Sequence, residues 1–431
     1  ERGPAIPFVE MRSTVGEFNF DKLQLKAGGE VDDLNYLLNL SDTSIDGFRE
    51  HSEFENTQLN GRFEYKVSNA SSLLASVHHT DQPIANDPGG ITAQDSNDYP
   101  TQARQQNLTF DAGEALTQTR VGLLYKTELN QGRNLEARIY NTVRGFENRL
   151  PFESGGAVKL DRSFFGGGIK TIIDGHLSDK KNRLLLGFDY DRQDDNRRRF
   201  DNISGTVGRK VFDQNERVTA TGIYLQNETR LSRTVEVTFG IRYDEVLFDV
   251  SDKFLSDGDD SGKITLDEVS PMLGVSIKHG QNTHLYATIS SAFETPTTTE
   301  FADPGGGGFN QSLNPQQSTN YEIGIKKLTA SYRFEAALFH IKVDNELTSF
   351  EQVAQPGRTF FENTGSSTRD GLELSYSRAV IEGVGFSAAY TYSDFTFDRF
   401  TNGNDDKFDG KRIPGIPEDL LHFGLTWFGR S

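Results

Sequence analysis

Val235-Glu-Val-Thr-Phe-Gly-Ile-Arg-Tyr243 decides the fold. Val235, Val237, Phe239, Ile241 and Tyr243 fall on one face of an extended chain, and Glu236, Thr238, Gly240 and Arg242 on the other. Successive side chains of a strand point to opposite sides, so this segment has one apolar face and one charged or small face. Its length suits a tilted strand crossing the ~25 Å apolar band of an outer membrane. Leu184, Leu186, Phe188 and Tyr190 repeat the pattern. Working outward gives about 18 such segments.

The connections between segments alternate in length. Short ones fall at Ser68 to Ser71, Asn130 to Arg133, Ser232-Arg233 and His279 to Asn282. Long polar ones are expected at Thr80 to Asp111, Gly145 to Ser163, Asp191 to Glu216, Asp249 to Gly262, Glu294 to Ser318, Asp344 to Thr359 and Asp394 to Lys411. That rhythm predicts an all-β, antiparallel, up-and-down transmembrane barrel, with short periplasmic turns and long extracellular loops. The faces opposite the apolar ones carry Glu136, Arg138, Asp189, Arg242, Glu322, Lys326, Arg333, Glu335 and Glu373. So many charges cannot fill a packed core, but they can line a wet lumen.

Composition agrees with this class. The chain has 431 residues, 35% of them hydrophobic, and no run approaches the ~18 apolar residues of a membrane helix. Thirty-two Phe and fourteen Tyr suit interfacial girdles. The absence of cysteine excludes disulfides and thiolate metal sites. A net charge of −18 argues against nucleic acid as a partner, since phosphate neutralisation needs a basic face. No His-Glu-x-x-His, Gly-x-Ser-x-Gly or phosphate-cradling glycine turn is present, so nothing points to an enzyme.

Several fragments carry a family likeness. Tyr224-Leu-Gln-Asn-Glu-Thr-Arg-Leu, Val237-Thr-Phe-Gly-Ile-Arg-Tyr-Asp, Ser270-Pro-Met-Leu-Gly and Tyr286-Ala-Thr-Ile-Ser-Ser-Ala-Phe-Glu-Thr-Pro-Thr come in order. Asn314-Pro-Gln-Gln-Ser-Thr-Asn-Tyr-Glu-Ile-Gly, Phe361-Glu-Asn-Thr-Gly, Gly371-Leu-Glu-Leu and Pro414-Gly-Ile-Pro follow. Together they resemble the TonB-dependent receptors of the Gram-negative outer membrane, siderophore-receptor type. The resemblance is best over residues 183 to 428. It implies a barrel of about 22 strands with a plug inside, driven by the TonB–ExbB–ExbD complex and set among outer-membrane lipid and lipopolysaccharide. The implied cargo is a ferric siderophore or a similar scarce nutrient complex. The family's N-terminal plug and energy-coupling box have no match here, and the strands run about four short of the family's number. Residues 1–431 therefore read as a partial barrel domain. Rival readings are a passive porin-like channel, an importer of cobalamin, a copper chelate or a glycan, and a soluble adhesin of stacked hairpins. The last would need polar residues on both strand faces.

Smaller motifs suggest ligand contacts. Arg197-Arg198-Arg199, in an expected long loop, could take an anionic iron complex or a lipopolysaccharide phosphate by bidentate pairing, with solvated loop charge as the competing reading. Arg358 and the Glu294 to Ser318 loop are further candidates, and Gly305 to Gly308 could let that loop fold over a substrate. Asp257-Gly-Asp-Asp-Ser-Gly-Lys-Ile-Thr-Leu-Asp-Glu268 fits the EF-hand calcium loop, with Asp257, Asp259, Ser261 and Glu268 at ligand positions. Flanking helices are missing, and an acidic loop matching by chance is the competing reading. No other cofactor is implied. His78-His79 cannot easily chelate one ion, because neighbours on a strand face opposite ways. No histidine stands between Phe293-Glu-Thr-Pro and Asn314-Pro-Gln-Gln, which disfavours haem.

Overall fold

The computed structural model describes residues 2–304, 309–352, 355–381, 383–401 and 406–427. Among these are eighteen strands and two short helices. The first seven strands are β1 (Phe8–Val15), β2 (Asp21–Val31), β3 (Leu34–Ile45), β4 (Phe54–Ser68), β5 (Ser71–Asn86), β6 (Gly113–Asn130) and β7 (Arg133–Arg149). Helices α1 (Ala93–Asp98) and α2 (Gln105–Thr109) lie between β5 and β6. Four long strands follow: β8 (Ala157–Leu177), β9 (Lys180–Ile203), β10 (Thr206–Arg230) and β11 (Val235–Asp252). The rest are β12 (Gly262–His279), β13 (Thr283–Glu294), β14 (Gln316–Leu328), β15 (Tyr332–Gln352), β16 (Gln355–Ile381), β17 (Val384–Arg399) and β18 (Asp419–Trp427).

The chain divides into two units. The first holds Glu1–Thr171, Phe188–Thr221 and Leu247–Ile264; the second holds Ile172–Gly187, Gly222–Val246 and Thr265–Ser431. In the first, β1 to β7 pair in sequence order, all antiparallel. In the second, β12 to β18 do the same. This is the up-and-down order that alternating connections imply.

Hydrophobic side chains are displayed rather than buried. Ile139 and Val143 on β7, Leu273 and Ile277 on β12, Tyr321 and Ile323 on β14, and Leu338 on β15 all stand exposed. The buried apolar residues are few and include Phe248, Phe301, Leu313 and Phe360. A soluble protein does not tolerate an apolar surface this extended, whereas lipid covers it at no cost. At the short-turn end, Tyr332 lies 6.0 Å from Tyr376, Tyr376 lies 6.1 Å from Phe386, and Phe386 lies 5.0 Å from Phe423. These rings form part of an interfacial girdle.

Two expected loops are almost wholly strand, and strand claims the first residues of two more. β9 and β10 enclose only Ser204 and Gly205, so Asp191 to Glu216 is a hairpin tip on long paired stems. Both turn residues have positive φ, 48° and 87°, as the primed two-residue hairpin turn demands. The Asp344 to Thr359 segment shrinks likewise, because β15 runs to Gln352 and β16 starts at Gln355. β5 extends to Asn86, and β7 to Arg149. The physical reason is common to all four. Above the bilayer both faces meet water, so the apolar–polar alternation disappears while backbone pairing continues. Gly305 to Gly308 lies outside the described residues.

Opposite faces should respond differently to charge. Ile323→Arg, on the apolar face of β14, should cost ~2–4 kcal/mol near the bilayer centre. Thr288→Arg, on the other face of β13 and opposite Glu322, should cost under about 1 kcal/mol. Urea unfolding of the lipid-refolded barrel, followed by heat-modifiable gel migration, checks the pair. Equal losses would contradict the face assignment.

Candidate functional site

The charged faces are chains of compensated pairs. In the first unit, Glu136 on β7 holds Lys170 at 2.9 Å and Lys126 at 3.4 Å. One step along, the Arg138 guanidinium meets Asp189 at 2.8 Å. Next, the Tyr140 hydroxyl donates to Asp191. Further out, Arg162 grips Asp195 with Nε and Nη2 at 2.8 and 2.6 Å, and Asp195 is buried. A buried carboxylate is tolerated only when paired and hydrogen-bonded. In the second unit, Arg242 donates to Asp244 at 2.8 and 2.9 Å and stacks over the Tyr224 ring at 5.1 Å. The Tyr286 hydroxyl donates to Glu322 at 2.6 Å while Lys326 sits 5.1 Å above the same ring. Arg333 pairs with Glu335 at 2.8 Å. These residues all lie on the strand faces opposite the exposed apolar side chains.

Glycines make room for the aromatic rings on this face. A Cβ on Gly166 would come 2.7 Å from the Tyr140 ring, one on Gly187 would meet Tyr224, and one on Gly324 would lie 2.5 Å from Tyr286. Glycine inside a strand marks such close approaches. Each ring covers the gap its neighbouring strand leaves, which fixes the Tyr140 and Tyr286 hydroxyls beside Asp191 and Glu322.

The outer connections of the first unit are tied down by polar side chains. Arg49 donates to the carbonyls of Pro88, Gly89 and Gln102. The buried Asn202 amide donates to Phe110 and Leu150 carbonyls at 2.9 and 3.0 Å. His51 meets the Ala112 carbonyl at 2.7 Å. These loops therefore present a fixed surface.

Arg197, Arg198 and Arg199 stand on β9 and not in a loop, so the period of two sends them to alternate faces. Arg197 meets Glu216 at 3.2 Å and lies over Phe212. Arg198, on the opposite face, is held by Asp161. Arg199 donates to the Gly155 carbonyl at 3.0 Å. The three do not form one fork. Arg358 lies on β16, and its side chain is outside the described residues. His78 and His79 do part company, His78 toward Asn60 and His79 toward Thr119.

The EF-hand-like segment is split between the units. Asp257, Asp259 and Ser261 belong to the turn ahead of β12, and Glu268 stands on β12 itself. Ser261 bonds Asp259, which keeps that carboxyl below the usual carboxylate range. The Glu268 carboxylate accepts from Gln317. No EF-hand helix follows, because β12 starts at Gly262. Among the described residues no group of three or more His, Asp or Glu side chains is arranged to hold a metal ion.

Two further residues belong to no local motif. Arg120 on β6 and Arg144 on β7 share the charged face, with Gln118 opposite Arg144 and Thr142 opposite Arg120. Arg120 lies 5.4 Å over the Tyr140 ring and Arg144 lies 5.2 Å over Phe146. Among the described residues neither meets a carboxylate, and the Arg144 Nε is buried without a partner. Tyr140 stacks on Phe164 at 6.0 Å beside them. Two cations backed by three rings can take a flat, anionic ligand. Parity counting along β6 and β7 would have found them, since Val121 and Ile139 mark the apolar face.

Comparison with known proteins places this wall in context. Residues 17–431 match the family described as TonB dependent receptor-like, beta-barrel. The Ferrioxamine B receptor of Salmonella typhimurium (strain SL1344) is 25% identical over 360 residues, covering 78% of this chain and 47% of that protein. The chain thus spans about half the length of that curated relative. The solved siderophore receptor PiuA from Acinetobacter baumannii superposes with a TM-score of 0.77 at 14% identity, over 99% of this chain and 70% of that one. The solved copper transporter OprC gives 0.76 at 14%, over 100% and 66%. Fold, charged inner face and apolar outer face agree with one family: the chain belongs to the TonB-dependent receptor β-barrels of the outer membrane.

Proposed function

We propose that this chain is the barrel wall of an energised outer-membrane importer whose cargo is a ferric siderophore or a similar anionic metal chelate. The observation that carries the reading is the Arg120–Arg144 pair. Its two guanidinium groups lack carboxylate partners among the described residues, on a face where most cations are compensated. Membership of the family supports uptake, and so do relatives that are siderophore receptors by name. In this reading the plug that the family resemblance implies completes the site and carries the TonB contact. Tyr140, Phe146 and Phe164 would offer stacking surface to a ligand, while the arginines supply fork-shaped donors matched to carboxylate or catecholate oxygens.

Uptake of radioiron by cells carrying the full-length gene, compared with a deletion strain, tests this. A panel of ferric siderophores is offered with and without an uncoupler. One complex should enter, and its entry should collapse on uncoupling. Entry that survives uncoupling would replace the reading with a passive channel. For the complex that enters, Arg120→Ala with Arg144→Ala should raise the half-saturating concentration about tenfold, the equivalent of one lost charge-assisted contact of ~1.4 kcal/mol. Heat-modifiable migration should stay unchanged.

A further inference from the structure

One stretch of the inner face in the first unit is rich in hydrogen-bonding groups and free of acid. Antiparallel register lines its side chains up in two rows across β3, β4, β5 and β6. In one row Asn39, Asn60 and His78 stand opposite one another and lead to Arg120. Two residues further out, Ser41, Gln58, Thr80 and Gln118 do the same and lead to Arg144. Neither row contains Asp or Glu. Solvent does not impose this. At the same height Asp42 and Asp81 stand on the opposite face of β3 and β5, bonded to Thr57 and Thr117.

The polar groups of these rows are largely unspent. Among the described residues, Gln58, Thr80 and Gln118 make no side-chain hydrogen bond. His78 Nδ1 meets Asn60 Oδ1 at 2.8 Å; an amide oxygen accepts, so Nδ1 donates and Nε2 is left uncommitted. Past β3 the rows open on a cavity of 530 Å³ lined by Gln24, Lys26, Leu37 and Asn39, with Arg12 paired to Glu10 at its edge. Strands lie ~4.8 Å apart, so about 14 Å separates β3 from β6. That is room for about four residues of extended peptide, or for a short glycan. At ~3.3 Å per residue and a tilt of about 40°, the rows lie roughly 18 to 23 Å above the short turns, toward the outer side.

We infer that these rows select the cargo: a metal chelate whose anionic core lies on Arg120 and Arg144, and whose uncharged amide- or hydroxyl-bearing arm runs along β5, β4 and β3 toward the cavity. The inference rests on the uptake reading above and narrows its substrate. Asn and Gln amides both donate and accept, as do Ser and Thr hydroxyls. They match an arm that mixes C=O with N–H, or O–H with ring oxygen. A chelate without the arm would cover these partly buried groups and leave them unpaired, which is how a polar site rejects a ligand lacking its partners.

Equilibrium binding of radioiron complexes to the full-length receptor in detergent tests this. Two synthetic ferric cores, a tris-catecholate and a citrate type, are each prepared bare, glucosylated, or carrying a capped trialanine arm, so core charge is constant. For the core that binds, one armed form should bind about tenfold tighter than the bare one, the equivalent of one or two net hydrogen bonds. Gln58→Leu with Gln118→Leu should erase that preference, leave the bare complex unaffected and keep heat-modifiable migration. Thr80→Val, a milder change, should reduce the preference severalfold. Arg120→Ala with Arg144→Ala should instead weaken bare and armed forms alike. Equal binding of bare and armed forms by wild type overturns the inference and leaves the uptake reading intact. A preference that survives the leucine substitutions overturns it too. So does equal weakening of both forms by those substitutions, because the rows would then pack against protein and not cargo. Failure of every complex to bind also overturns it, and the uptake reading falls with it only if energised radioiron entry is absent as well.

Discussion

A bilayer core offers no water to an unpaired N–H or C=O, and each one left open costs several kcal/mol. The rest of this structure follows from that constraint. Each strand must be paired along its membrane-crossing length, and the register of β14 with β15 runs unbroken from Gln317 opposite Asp344 to Leu328 opposite Arg333. Pairing fixes the alternation of faces, and alternation in turn places Ile323 in lipid and Glu322 in the lumen. Charge on the inner face is then affordable because water is on that side. Even so, the buried Asp195 is held by Arg162 in bidentate fashion.

The inner face is more than a solvated surface. Tyrosine rings lie over glycines of the adjoining strand, and the hydroxyls of Tyr140 and Tyr286 are aimed at carboxylates. This arrangement orders the wall without a packed core. It also separates compensated charge from spare charge. Arg138, Arg162, Arg242 and Arg333 are engaged, whereas among the described residues Arg120 and Arg144 rest on rings and form no ion pair, although Arg144 shares a cavity with Asp195 and Glu216, each held by another arginine. A wall built this way can bind an anion without first breaking an internal ion pair.

The period-two pattern made the fold legible wherever one face meets lipid. Val235 to Tyr243 and Leu184 to Tyr190 are strands where alternation puts them, and the strand number agrees. Legibility stops at the membrane boundary. On β9 the apolar face ends at Tyr190, and Arg192, Asp194 and Arg198 continue the same side in water, so propensity and polarity suggested a loop where hydrogen bonding maintains a strand. A triplet on such a strand cannot act as one fork, because its members alternate between faces. The EF-hand pattern shows the converse: spacing alone cannot say whether the ligand positions share a loop, and β12 begins at its sixth residue. The Tyr–Gly contacts and the acid-free rows of β3 to β6 depend on neighbours far apart in sequence, and no local window contains them.

The alternation of faces also fixes how the chain can tolerate insertions and deletions. Removing one residue from the crossing part of β14 would exchange the solvents of every side chain between the gap and the turn, bringing Glu322 into lipid. Removing two would leave every face where it was and only shorten the stem. Past Tyr190 on β9 the distinction disappears, because both sides there are wet. Gene-length variation in such a protein should therefore be even-numbered below the membrane boundary and unrestricted at the hairpin tips, where Ser204 and Gly205 turn the chain.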